Sequence, residues 1–235
     1  IFILLILLST FLLFASWRWL PETLPQEPRR RLEARYLMRS YWKVITSPPF
    51  LLACGSMAFT GSGFFIYIMG APQFLMKHLG LAETQFLWLF GPMAVGMIVG
   101  AWISGYCAGR ISGNQTIWLG YIVMAVAAVG NVLLNMFVPP TVPWTIAPLF
   151  FYVVGMSISM PSLTLFTLDL FPAQKGLAAS CQGAIALGAN SAVSAFVPLI
   201  WATTRSMAMT ELVMLIIGTL TLLLYFPAMK RHQAA

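Results

Sequence analysis

Apolar residues run along this chain in long unbroken stretches, separated by short polar clusters rather than alternating with them. Seven stretches, at about 1–20, 50–72, 85–108, 115–138, 144–168, 176–201 and 209–229, each reach the roughly 20 residues a helix needs to cross a bilayer. In hydrocarbon a helix satisfies its own backbone, and runs this long without two-residue alternation predict helices rather than strands. The breaks carry turn residues: Lys77-His78-Leu79-Gly80, Ser112-Gly113-Asn114, Pro139-Pro140-Thr141-Val142-Pro143 and Phe171-Pro172. Such short connections make neighbouring spans antiparallel. The exception is the long connection between the first two stretches, residues 21–48. The pattern predicts an all-α, polytopic membrane protein with seven transmembrane helices.

Composition agrees. Hydrophobic residues make up 60% of the chain and charged ones 8%, against about a quarter charged in a soluble domain. Ten of the 19 charged residues fall between Arg18 and Lys43. Basic residues collect in cytoplasmic loops. With the long connector placed inside, Arg18, Arg29, Arg30, Arg31, Arg35, Arg39, Lys43, Arg110, Lys175, Lys230 and Arg231 lie on or near that side, and only Lys77 and Arg205 lie outside. This asymmetry accounts for the net charge of +7 without a nucleic-acid partner. Cys54, Cys107 and Cys181 are scattered through apolar segments. They read as small buried side chains, not as a disulfide framework or a metal site.

Within the connector, Pro21, Pro25 and Pro28 end the first helix and keep the chain extended. A second, amphipathic helix is expected from Arg29, with Arg31, Arg35 and Arg39 on one face and Leu37, Tyr41 and Val44 roughly opposite. A solvated basic loop is the alternative. Ile1 stands already inside an apolar run, so further chain, with further helices, is expected to precede it.

Two stretches carry a family resemblance. Leu20-Pro21-Glu22-Thr23-Leu24 closes a membrane helix ahead of a long basic connector. Leu170-Phe171-Pro172-Ala173-Gln174-Lys175-Gly176-Leu177-Ala178-Ala179-Ser180-Cys181-Gln182-Gly183 opens a later span. In order and spacing these resemble drug:proton antiporters of the major facilitator superfamily, of the Bcr/CflA multidrug efflux type. The resemblance implies the sixth span (1–20), the central cytoplasmic loop (21–48) and the C-terminal six-helix half with a short cytoplasmic tail (49–235). It also implies a multi-pass protein of the cell's inner (plasma) membrane.

Small and polar residues sort the spans. The first and last are almost wholly Leu, Ile and Phe, as lipid-facing helices are. The second, third, fifth and sixth carry Gly61, Ser62 and Gly63; Gly91, Gly96, Gly100 and Gly105; Gly155; and Gly183, Gly188 and Asn190. Small residues allow close helix approach and polar ones seek partners. These four spans are expected to form the interior, as the resemblance also implies. Asn131 and Asn135 in the fourth read as interhelix hydrogen-bonding groups.

Helical spacing then nominates a substrate cavity: Phe64 and Tyr67 with Thr60, Tyr152 with Met156 and Met160, and the amides Gln182 and Asn190. Rings, thioethers and amides suit bulky apolar or cationic molecules; ordinary packing is the alternative for each aromatic and Met. Prolines interrupt the interior spans at Pro72, Pro92, Pro161 and Pro198, and Pro161 is the best hinge. Gly105-Tyr106-Cys107-Ala108-Gly109-Arg110 resembles the superfamily's Gly-x-x-x-Asp-Arg loop motif without its Asp, making Arg110 a gating residue or a topological anchor. Asp169 is a second gating candidate, awaiting a basic partner.

Glu22, Glu27, Glu33, Glu83, Asp169 and Glu211 all fall in loops or near the ends of the expected spans. Proton coupling would therefore draw on an acid in the preceding half. No nucleotide loop, hydrolytic triad or metal cluster is present in the sequence, so neither an enzyme nor a cofactor is expected. The expected function is part of a secondary active transporter, exporting small amphipathic or drug-like molecules by alternating access with protons as coupling ion. A seven-helix receptor or sensor fits the same span count and remains open at this point.

Overall fold

The computed structural model describes residues 2–20, 34–200 and 202–234. The three connector prolines and Arg29, Arg30 and Arg31 lie outside the described residues, as do the side chains of Pro198, Lys230 and Arg231. Among the described residues there are eight α-helices: α1 (Phe2–Trp19), α2 (Ala34–Ile45), α3 (Pro48–Met69), α4 (Leu87–Cys107), α5 (Gly113–Phe137), α6 (Ala147–Asp169), α7 (Lys175–Ile200) and α8 (Thr204–Ala234). Among the described residues there is no strand. The helices α1, α3, α4, α5, α6 and α8 are long and apolar enough to cross a membrane. At 26 residues α7 has the length of a span, and part of its last turn lies outside the described side chains. The chain is an all-helical, multi-pass membrane protein.

The chain divides into one unit up to Met38 and another from Arg39 onward. In the first, α1 is apolar around its whole circumference and buries none of its side chains. Such a helix presents every face to lipid or to another helix.

In the second unit α6 packs against α5, α4 and α3, while α8 packs against α3 and α5, and α7 against α3. Lipid tails are as apolar as Leu, so membrane helices associate through close packing rather than through escape from water. Glycine supplies the closeness. A Cβ built on Gly120 would run into the Gly155 carbonyl and the Ser159 side chain, and one on Gly155 would fall 2.6 Å from the Gly120 carbonyl. The backbones of α5 and α6 are thus in direct contact. On α4, Gly96 and Gly100 meet α6 in the same way, whereas Gly105 faces no atom within 4 Å.

Two local details position the functional residues. At the end near α2, Val44 packs with Phe50, Cys54 and Phe171, and Gln174 Nε2 donates to Ser40 Oγ at 3.3 Å. Arg35 and Arg39 are exposed, on the side expected of them. Tyr41 departs from expectation: it is 40% exposed, while Ser40 is 5% exposed. At about 100° per residue Ser40 lies within about 60° of both Leu37 and Val44, so it shares their face and meets Gln174 there. At the opposite end α8 begins at Thr204, five residues before the expected start. Ser206 N–H donates to Thr203 Oγ1 at 3.0 Å and Thr203 N–H to Ser206 Oγ at 3.2 Å, a reciprocal cap that starts the helix early.

The Gly120–Gly155 contact generates a test. Gly120→Val should lower the stability of the purified protein by about 1–3 kcal/mol, the usual range for overpacking, read as thermal unfolding in detergent. Gly130→Ala, where a Cβ meets nothing within 4 Å, should leave it unchanged. Equal behaviour of the two variants would remove the contact from the account of the fold.

Candidate functional site

The helices α3, α6 and α7 share a face on which half-buried polar and sulfur-bearing side chains meet. From α7, Gln182 Nε2 donates to Thr164 Oγ1 of α6 at 3.3 Å and to Met57 Sδ of α3 at 3.5 Å. Two turns further along α7, Asn190 Oδ1 accepts a bond from Ser62 Oγ of α3 at 3.3 Å. Phe64, Met156 and Met160 are also half-buried. The two amides singled out by sequence therefore tether α7 to its neighbours while remaining partly accessible. The junction holds uncharged hydrogen-bonding groups and the Met57 thioether, a combination that accommodates varied apolar molecules.

The other nominated residues go elsewhere. Tyr67 and Tyr152 are each 1% exposed and point into the bundle. Tyr152 O–H donates to the Thr60 carbonyl at 2.9 Å, and Tyr67 OH accepts from Asn131 Nδ2 at 2.8 Å. Their hydroxyls are engaged inside the bundle, and only Phe64 of the α3 trio reaches the half-buried zone. Pro161 is exposed, and α6 runs through it. It lines a cleft of about 450 Å³ beside Ser104, Gly105, Gly109 and Thr116, on the α4–α5 side of α6. Arg110 folds back on its own helix: Nη1 donates to the Tyr106 carbonyl at 2.7 Å, and the guanidinium sits 3.8 Å over the Tyr106 ring. Asp169 meets a basic partner, Lys175, at 2.6 Å, with both side chains more than half exposed. A pair so exposed contributes at most about 1 kcal/mol.

The residue that sequence reasoning misplaced is Glu211. The expectation was that Glu211 lies near the end of a span rather than inside it. Because α8 starts at Thr204, Glu211 stands seven residues along it, about 10 Å at 1.5 Å per residue, and is 1% exposed. Asn131 Nδ2 donates to its Oε2 at 2.6 Å. Asn135 Nδ2 in turn donates to Asn131 Oδ1 at 2.9 Å. One amide of α5 thus binds both the carboxyl of α8 and the phenol of α3. Glu211 Oε1 is buried without a hydrogen-bond partner. The sequence signal for the longer helix was the Thr203-Thr204-Arg205-Ser206 cap, hidden by its own polarity. A second junction joins the same three helices: Ser56 Oγ of α3 donates to the Gly218 carbonyl of α8 at 2.7 Å and shares a bond with Tyr121 OH of α5.

The sequence pattern that defines the Major Facilitator Superfamily matches residues 1–198. The chain belongs to the major facilitator superfamily. No curated protein matches the chain. As a major facilitator, it is a membrane transporter of small molecules rather than an enzyme, and a receptor or sensor is not favoured.

The engaged tyrosine hydroxyls generate a test on this facilitator. Tyr152→Phe removes a buried donor and should lower stability by about 1 kcal/mol, measured by thermal unfolding. It should leave the ranking of competing substrates unchanged in a competition assay. An altered ranking would return Tyr152 to the substrate face.

Proposed function

We propose that this protein exports small amphipathic or drug-like molecules by alternating access, coupled to protons. The observation that carries the reading is the α3–α6–α7 junction, where Gln182 reaches Met57 and Thr164 and Asn190 reaches Ser62, with Phe64, Met156 and Met160 half-buried on α3 and α6. Amides fix orientation without charge, thioethers adapt their shape, and a ring attracts cations. Such a lining favours neutral or cationic amphipaths over anions. The two stretches at Leu20–Leu24 and Leu170–Gly183 support the drug:proton antiporter branch.

On this reading α1, the connector and α3 to α8 are the sixth span, central loop and second half of a major facilitator fold, whose first half completes the cavity. The connector and C-terminus are cytoplasmic in the inner (plasma) membrane, supported by eleven of thirteen basic residues on that side. Pro161 serves as hinge, because it cannot donate to the Ser157 carbonyl one turn back and so weakens the helix there. Arg110 and Asp169, near the cytoplasmic ends of α4 and α6, belong to the gate on that side, with the Asp169–Lys175 pair breaking as it moves.

The test is accumulation of a fluorescent lipophilic cation in cells with and without the protein. Expression should lower accumulation, and a protonophore should restore it. Gln182→Ala and Asn190→Ala should raise KM several-fold at unchanged protein level. Accumulation that is indifferent to expression would sink the export reading; efflux that survives collapse of the proton gradient would sink the coupling.

A further inference from the structure

Glu211 is the one carboxyl among the described residues that is buried within a span. Its surroundings decide what it can hold. From α5, Asn131 supplies an amide donor to Oε2. From α3, Tyr67 shares that same amide. From α6, Tyr152 stands nearby: a Cβ on Gly63 would lie 2.9 Å from its hydroxyl and 3.5 Å from the Glu211 carbonyl oxygen, and the hydroxyl's proton is already donated to Thr60. On α8 itself, Arg205 stands six residues earlier, near the helix start. Among the described residues no Lys, Arg or His pairs with the carboxyl.

A bare carboxylate removed from water is strongly unfavourable unless something neutralises it. A metal cation would need several oxygen ligands around it. Here Oε2 is taken by Asn131, Asn131 Oδ1 by Asn135, and the Thr60 carbonyl by Tyr152. Oε1 and Asn135 Oδ1 are left without hydrogen-bond partners. Two free oxygens are too few for a metal cage, and the one on the carboxyl is sufficient for a proton.

We propose that Glu211 is a proton-binding site of this transporter, placed where α3, α5 and α8 meet, with Oε1 taking the proton and Oε2 held by Asn131. Binding is the transfer of one proton to the carboxylate, which becomes a neutral acid. Losing it places a negative charge where α3, α5 and α8 are joined, so protonation is tied to the seating of α3. This deepens the proton-coupled reading by naming a site inside the chain, and its test does not require transport.

The experiment is infrared difference spectroscopy between acid and alkaline pH on the purified protein in lipid nanodiscs, reading the carbonyl stretch of a protonated carboxyl. The expected result is a band that exchanges slowly in deuterium oxide and is absent from Glu211→Gln, which keeps an acceptor for Asn131 but cannot titrate. Asn131→Leu should move that band to higher frequency, since the carbonyl loses its hydrogen-bond donor. Identical difference spectra for wild type and Glu211→Gln would overturn the proposal. So would a Glu211-dependent change that follows sodium at constant pH. Failure of efflux with the band present would count against the export reading alone.

Discussion

Backbone contact between α5 and α6 is what the rest of this bundle depends on. Hydrocarbon offers two apolar helices no reward for hiding from it, so their association rests on how closely they touch. Gly120 and Gly155 each lie against the other's carbonyl, and Gly96 and Gly100 bring α4 onto the opposite flank of α6. With α6 held between two helices at glycine distance, its remaining side chains are fixed in direction. Tyr152 is driven inward toward α3, and Met156 and Met160 are left half-buried. The inward phenol and the half-buried thioethers are two consequences of one packing choice.

The helices α3 and α5 do not pack closely on each other, yet side chains join them at two levels. Near one end Tyr67 meets Asn131, and about three turns away Ser56 meets Tyr121. At both levels α8 completes the junction, through Glu211 and through the Gly218 carbonyl. Polar groups in lipid must find partners inside the protein. These junctions therefore hold the outermost-looking helix of the sequence, α8, as firmly as any interior one. A helix rich in Leu and Ile was expected to face lipid; it exposes Val213, Ile216, Leu220, Leu223 and Leu224, and another of its sides is committed to the polar core.

The spans were legible because length and apolarity are one-dimensional properties. Six of the seven expected stretches lie within three residues of the observed helices at each end. The amides were legible too, since a Gln or Asn in an apolar run has few bland explanations. Which way a side chain turns was not. Thr60, Phe64 and Tyr67 share a face by spacing, but only the placement of α8 and α5 decides that Thr60 and Tyr67 turn inward. Glu211 was lost for a different reason. The polar capping residues before it resemble a loop, and an expected boundary five residues too late moved a buried acid to a span end.

The Ser56 bridge has a direction. Its hydroxyl owns one proton, and the Gly218 carbonyl receives it. In the bond with Tyr121 the phenol must therefore be the giver. Loss of the phenol oxygen leaves the serine still bonded to α8, while loss of the serine oxygen cuts the tie of α3 to both α5 and α8 at this level. The two ends of the bridge are therefore unequal, although both residues are buried.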